Sequence, residues 1–168
     1  MNSSTGFLIL EVSVVLFVIV LVVAMTWPFI WFNDEIGIQQ NVQKIYNAML
    51  YLQQKAKSNF EPQYLVFDLA NRKFTYNNQT YELGSNVEFG AAQGIKGPPS
   101  VPKKDIINPI TFEGKRIAFY PDGTISAGIV YLFDKKTKES FAISSSVSYI
   151  SFVRKYKFVV NSGWTLID

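Results

Sequence analysis

Cysteine and histidine are both absent from this chain of 168 residues. The protein therefore has no disulfide, no thiolate or imidazole metal site, no Ser-His-Asp triad and no cysteine nucleophile. Charged residues are scarce at 17%, against about 25% in ordinary soluble domains. The formal net charge of +3 is too small to indicate nucleic-acid binding by itself. These absences exclude most hydrolytic and redox mechanisms, although they do not identify a cellular compartment.

Acidic residues are present, but their positions do not suggest catalysis. Six acids after the N-terminal region lie mostly at predicted turns, and we expect them to be solvated and not paired for acid and base chemistry. They are Asp68, Asp105, Glu113, Asp122, Asp134 and Glu139. The segment from Gly94 to Gly97 lacks the lysine and the strand-to-helix context of a phosphate-binding loop. We therefore expect no enzyme activity, no catalytic residue, no metal site and no cofactor.

A long apolar run extends from Phe7 to Phe32, interrupted only by Glu11, Ser13 and Thr26. As a helix rising about 1.5 Å per residue, it is long enough to cross about 30 Å of hydrocarbon. A secretory signal peptide is the alternative, but it requires a basic start, a shorter apolar core and small residues at its end. The sequence therefore predicts a transmembrane helix over residues 7–32.

Glu11 is informative because a carboxylate in an apolar span costs on the order of several kcal/mol unless it reaches the headgroups or a cation. The stretch from Gly6 to Glu11, Gly-Phe-Leu-Ile-Leu-Glu, resembles the class III signal of type IV pilins and type II secretion pseudopilins. The resemblance implies that residues 1–6 are a leader, that a prepilin peptidase cuts between Gly6 and Phe7, and that the new amine of Phe7 is methylated. It also implies that Glu11 pairs with this amine on a neighbouring subunit.

Pro28 lies near the end of the same apolar run. Many members of this family have a proline here that kinks or locally melts the helix during filament assembly, and the resemblance implies the same role. Alternatively, Pro28 marks the end of the membrane span, because proline disrupts the preceding turn of any helix. The first interpretation makes Pro28 a candidate assembly residue.

Beyond the apolar run, hydrophobic residues recur at steps of four and three, which predicts an amphipathic helix over residues 33–58 that continues the first. They are Ile38, Val42, Ile45, Met49, Leu52 and Ala56. This stripe could pack on a sheet of the same chain or on another helix in a filament, and a pilin would use both. Gly37 offers a flexible point between the two halves of the helix.

Residues 59–168 show β-branched and aromatic runs separated by turn residues, which predicts a β-rich globular domain. The predicted strands cover residues 64–69, 73–76, 79–83, 117–120, 128–134, 139–144 and 149–160. Their connections are too short for helical crossovers, so we expect a mostly antiparallel sheet. Gly90 to Pro109 is predicted to form a long exposed loop, a common place for ligand binding.

The order of these elements supports a second resemblance. A strand from Tyr64 to Asp68 is followed by a hairpin, and later an aromatic strand runs into the Pro-Asp-Gly turn within Ile117 to Thr124. This order resembles the GspH/FimT-like minor pseudopilins and minor pilins. The expected fold is therefore α+β and pilin-like. It has a long N-terminal helix, membrane-spanning in its first half and amphipathic in its second, packed on a mostly antiparallel sheet.

Basic and aromatic residues are interleaved near the C-terminus. Arg154, Lys155 and Lys157 alternate with Phe152 and Tyr156. Such a combination can bind DNA through phosphate contacts and base stacking, so the three cations are candidate nucleic-acid contacts. The alternative is a strand whose charges prevent edge-to-edge aggregation, and this is the interpretation that the alternation favours.

We therefore expect a minor pilin or pseudopilin, a structural subunit of a type IV pilus-like or type II secretion filament. The expected partners are other pilin or pseudopilin subunits, the prepilin peptidase, an inner-membrane assembly platform and the lipid bilayer. The expected location is the bacterial inner membrane, as a single-pass protein with an extracytoplasmic C-terminal domain, and then the filament. The competing hypothesis is a permanently membrane-anchored binding domain with DNA as a candidate ligand. Secretion, pilus and DNA-uptake machinery all stay open.

Overall fold

The computed structural model describes residues 4–31, 37–146 and 152–167, and within the first helix it describes the side chains of residues 11–25. The chain divides into two compact units, Met1–Glu35 and Ile36–Asp168. The first unit contains helix α1, Ser4–Trp31, and the second contains helix α2, Ile38–Asn59, and all the strands.

Helix α1 continues past Pro28, so this proline does not end it. Among the described residues, no helix combines the length and the apolar character needed to cross a membrane. The prediction of a transmembrane helix over Phe7–Phe32 is therefore contradicted, and so is the prediction of a single-pass inner-membrane location.

The sequence predicts that the amphipathic helix continues the first helix. In the structure, α2 is instead a separate second helix. Gly37 immediately precedes it with φ −58° and ψ 157°, an extended conformation that lies outside the helical region. Residues 33–36 of the expected continuation lie outside the described part of the chain. The amphipathic pattern itself is confirmed, because Ile45, Met49 and Leu52 are completely buried.

Nine strands form two antiparallel sheets in the described part of the second unit. They are β1 Gln63–Asp68, β2 Lys73–Tyr76, β3 Gln79–Glu82, β4 Val87–Phe89, β5 Arg116–Phe119, β6 Gly128–Asp134, β7 Ser140–Ser145, β8 Val153–Val159 and β9 Gly163–Ile167. Sheet A has the order β3-β2-β1-β5, and sheet B has the order β4-β6-β7-β8-β9. Helix α2 contacts strands of both sheets.

The expected pilin-like arrangement of one long helix on one sheet is therefore wrong: the fold is α+β with two helices and two antiparallel sheets. The sheets separate because β5 returns to pair with β1, as in the pair Leu65 and Ile117, whereas β4 pairs with β6. The last predicted strand is also shorter than expected, and β9 follows it as a hairpin partner. All the described core residues belong to the second unit.

The loop over Gly90–Pro109 folds back onto sheet B. The hydroxyl of Tyr131 donates a hydrogen bond to the Gly97 carbonyl at 3.2 Å, and Nε1 of Trp164 donates one to the Lys96 carbonyl at 2.8 Å. Gly97 has φ +100°, and a Cβ atom there would lie 2.9 Å from the Cα of Pro102. Pro102 belongs to the same loop, so only glycine fits where the loop closes on itself. The hydrogen bonds from Tyr131 and Trp164 hold the loop against the sheet.

Candidate functional site

The described side chains of helix α1 form a continuous exposed apolar surface. From Val12 to Met25, the large apolar side chains are between 40% and 66% exposed. Ser13 is the one polar residue within this stretch, and from Val14 to Met25 the run is uninterrupted. The helix has 3.6 residues per turn, so this run covers every side of it. Glu11, which is also exposed, supplies the one charge among the described side chains of this helix.

The residues predicted to be processed lie near the start of α1. Gly6 and Phe7 are in the helical backbone, and their side chains lie outside the described part of the chain. The side chain of Pro28 lies outside it as well. The predicted cleavage between Gly6 and Phe7, and the assembly roles of Glu11 and Pro28, therefore stay predictions.

The three basic candidates for nucleic-acid contact do not form one surface. They occupy consecutive and alternate positions of β8, and neighbouring side chains of a strand point to opposite faces of the sheet. Lys155 is only 7% exposed and its Nζ donates a hydrogen bond to Oε1 of Gln43 in α2 at 3.0 Å. The same ammonium lies 4.6 Å from the ring centroid of Tyr46. Lys155 thus contacts the helix that packs on the inner face of sheet B.

Lys157 lies on the same face as Lys155 and is also engaged. Its Nζ is 2.5 Å from Oε1 of Glu139, and it lies 5.5 Å from the ring centroid of Phe141. Arg154 lies on the opposite, outer face and is exposed. Of the three candidates, Arg154 is therefore the one whose charge is presented to solvent.

Arg154 lines a cavity of about 570 Å³ on the outer face of sheet B, which we call the β6–β8 groove. Its walls include Ile129 of β6, Ser144 of β7, and Pro99 and Ser100 of the folded loop. The guanidinium carbon of Arg154 lies 4.1 Å from the ring centroid of Phe152, a cation–π contact.

A second, smaller cavity of about 270 Å³ lies between the folded loop and the same face, and we call it the loop cavity. Pro98, Val101, Ile107 and Tyr131 line it, and it shares Ile129 with the β6–β8 groove. Burial raises the pKa of Tyr131 to about 12, because the neutral phenol is favoured away from water. The wall of the cavity thus combines apolar groups and an uncharged phenol with the charged residues Lys104 and Asp105 of the folded loop.

The acidic side chains at the predicted turns have structural partners. The Asn71 amide donates a hydrogen bond to Asp68 at 2.7 Å, and the Thr124 hydroxyl donates one to Asp122 at the same distance. These hydrogen bonds lower the pKa of both carboxyls. In the part of the chain that the structure describes, no group of three or more potential ligands could hold a metal ion.

Comparisons with known proteins do not extend this description: no family model matches the chain, and no similar curated protein or solved structure was found.

Sequence reasoning found Arg154 but missed the other residues of its groove. Ile129 and Ser144 belong to different predicted strands, and only the strand pairing brings them beside Arg154. The alternation within β8 was a usable signal, because it places Arg154 on one face and both lysines on the other.

Proposed function

We propose that this protein is a structural subunit of a filament of the type IV pilus or type II secretion class, assembled through helix α1. The observation that carries the proposal is the exposed apolar surface from Val12 to Met25. The resemblance of Gly6 to Glu11 to a class III signal supports the same function.

A helix that is apolar on all sides requires cover on all sides. An amphipathic helix such as α2 buries one face against its own chain, but one sheet face cannot surround α1. Helices α1 of several neighbouring subunits can surround one another, as in the core of a helical bundle. Each exposed side chain is already about half covered by its own helix, so its further burial contributes roughly 1 kcal/mol. The whole surface then favours association strongly.

Glu11 gives this association a register. A carboxylate buried among apolar helices is strongly destabilising unless a cation pairs with it. If the chain is cut after Gly6, the amine of Phe7 supplies this cation from a neighbouring subunit. The pairing allows one axial offset between helices and disfavours others, as polar groups do in coiled coils.

Cysteine cross-linking tests the proposed assembly, because the natural chain has no cysteine and each introduced thiol is unique. The variants are Val14→Cys and Val18→Cys in α1, produced together in the same cells, because the offset that pairs Glu11 with Phe7 brings position 18 of one subunit level with position 14 of the next. Val66→Cys is the matched control. Val66 is 45% exposed on strand β1, close to the exposure of the α1 positions. In cells with an active prepilin peptidase, we expect disulfide-linked dimers from the α1 variants and at least about tenfold fewer from the control.

Two further measurements separate assembly from processing. Mass spectrometry of the mature protein should find a methylated Phe7 at the N-terminus, and an intact Met1 would contradict the processing step. Glu11→Gln keeps the shape of the side chain and removes its charge, so we expect at least about a tenfold loss of cross-linked dimer. Equal cross-linking from α1 and from Val66→Cys would contradict assembly through α1.

A further inference from the structure

Arg154 presents a single positive charge that has no acidic partner among the described residues. The groove around it is lined by hydroxyl-bearing and apolar side chains, and no Asp or Glu is among them. The guanidinium carbon lies over the ring of Phe152, 4.1 Å from its centroid. A guanidinium that contacts a ring in this way keeps N–H donors for a hydrogen-bonding partner. This geometry suits the two oxygens of one carboxylate.

The pairing of β6, β7 and β8 fixes the distance between Ile129 and Arg154, the two ends of the site. Ile129 pairs with Ser144, and Ser144 pairs with Arg154, so the three side chains form one row across the outer face of β6, β7 and β8. Neighbouring strands are about 4.8 Å apart, so Ile129 and Arg154 are separated by about 10 Å. An extended peptide covers this distance with about three residues.

The apolar end of the row opens into the loop cavity. Ile129 and Thr111 line both the loop cavity and the β6–β8 groove, so the two cavities adjoin. Pro98 and Val101 cover the apolar end from the folded loop. A ligand that lies along the row can therefore place a carboxylate at Arg154 and an apolar group beside Ile129.

The middle of the row is polar. Ser144 lies between Ile129 and Arg154, and the groove walls also include Ser100, Ser146 and Thr111. Hydroxyl groups can donate and accept hydrogen bonds, so they suit the amide groups of a peptide better than the methylene chain of a fatty acid. Arg154 is the one charged residue in the described lining of the β6–β8 groove, and in the loop cavity Lys104 is accompanied by Asp105. This argues against a nucleic acid, which is bound through several phosphate contacts.

We propose that the β6–β8 groove and the loop cavity together bind the C-terminal end of a peptide from a partner protein. The terminal carboxylate binds Arg154, the last amides lie over Ser144, and an apolar side chain about two residues before the end enters the loop cavity. All the residues of this site belong to the second unit, so the proposal does not depend on the proposed assembly through α1.

Fluorine NMR of a small peptide tests the proposal on the purified full-length chain. The probe is trifluoroacetyl-leucyl-alanyl-alanine with a free carboxylate, and its control is the same peptide with a C-terminal amide. We expect the free acid to bind with a dissociation constant on the order of 1 mM, because the contact area is small. The amide should bind about tenfold more weakly, since it loses the charged contact.

Two arginine variants locate the binding. Arg154→Gln should weaken binding of the free acid about tenfold and abolish the difference between acid and amide. Arg116→Gln is the matched control, because Arg116 also stacks on an aromatic ring, 5.2 Å from the centroid of Tyr64, but in sheet A. It should leave the dissociation constant unchanged.

The remaining outcomes overturn the proposal in distinguishable ways. Equal binding of acid and amide would remove the role of the carboxylate. Equal weakening by Arg154→Gln and Arg116→Gln would show a general charge effect and not a site. If hexanoate, which lacks amides, binds as tightly as the peptide acid, the site binds a simple carboxylate and not a peptide terminus. Tighter binding of a short DNA oligonucleotide, lost in Arg154→Gln, would assign the groove to nucleic acid.

Discussion

Helices α1 and α2 are both rich in apolar residues, yet only α2 is seen to bury them. In α2 the apolar residues follow a helical period, and Ile45, Met49 and Leu52 are completely buried. In α1 they form a run that is uninterrupted from Val14 to Met25, and its large apolar side chains stay between 40% and 66% exposed. The comparison shows that apolar content alone does not determine burial. A stripe on one face is matched by a partner in the same chain, whereas a helix that is apolar on all sides requires several partners.

The largest expected effect comes from truncating one leucine in each helix. Leu52 is completely buried in α2, and Leu16 is 56% exposed in α1. Leu52→Ala should lower the free energy of unfolding by about 2–5 kcal/mol, because it removes buried contacts and leaves a cavity. Leu16→Ala should change the same quantity by less than about 0.5 kcal/mol. Chemical denaturation followed by near-ultraviolet circular dichroism measures both.

Leu16→Ala, which should barely change folding stability, should have a clear effect in the cross-linking assay. Leu16→Ala removes surface that the proposed filament buries. When it is added to both the Val14→Cys and the Val18→Cys chains, we expect less cross-linked dimer than from the two cysteine chains without it. A comparable loss of folding stability from both substitutions would contradict the contrast between the two helices, because it would place Leu16 in the folded core.

A smaller effect tests the difference between buried and exposed tyrosines in the second unit. Tyr131 is 2% exposed, and its burial raises its pKa to about 12, from the ordinary value of about 10. The folded state therefore holds the phenolic proton more tightly than the unfolded state. This contribution to stability is complete below about pH 10 and is lost as the pH rises towards 12.

Tyr131→Phe removes both this titration and the hydrogen bond to the Gly97 carbonyl. At pH 8 we expect the variant to be less stable than the natural protein by roughly 1 kcal/mol. The difference should shrink as the pH rises from 10 to 12, because only the natural protein must then lose a proton from a buried phenol. Thermal unfolding at several pH values measures it, with Tyr64→Phe, at a position 43% exposed, as the control. A difference that is constant with pH would contradict the assignment.

Local patterns allowed much of the second unit to be predicted, whereas pairing between distant strands could not be. The spacing of Ile45, Met49 and Leu52 predicts a helix with one buried face because helical side chains repeat every 3.6 residues. The division into two sheets depends on β5 pairing with β1 across a long stretch of sequence. No local pattern encodes that choice.

The candidate site, like the division into two sheets, depends on strand pairing that local sequence patterns do not predict. The charge of Arg154 was visible in the sequence, but its position beside Ile129 depends on the register of three strands. In the first unit, the apolar run predicted a transmembrane helix, and the described residues contradict that prediction. A run of apolar residues predicts that a helix will be covered, and it does not identify what covers it.

The smallest expected effect concerns a charge at the edge of the core. Lys155 is 7% exposed, and its ammonium contacts Gln43 and the ring of Tyr46. A methionine has a similar length and no charge to desolvate, so Lys155→Met should change the free energy of unfolding by no more than about 1 kcal/mol. Lys155→Ala should cost more, since it also removes the aliphatic part of the side chain that packs beneath α2.

These variants also distinguish the two interpretations of the basic cluster. If the cluster binds DNA through all three cations, Lys155→Met should lower the slope of log affinity against log salt concentration by about one. Because Lys155 faces α2 and Arg154 faces solvent, we expect Lys155→Met to leave that slope unchanged. Arg154→Gln serves as the comparison under the same conditions. Equal changes in slope from both variants would show that Lys155 reaches the phosphates, and the contacts with Gln43 and Tyr46 would then have to break on binding.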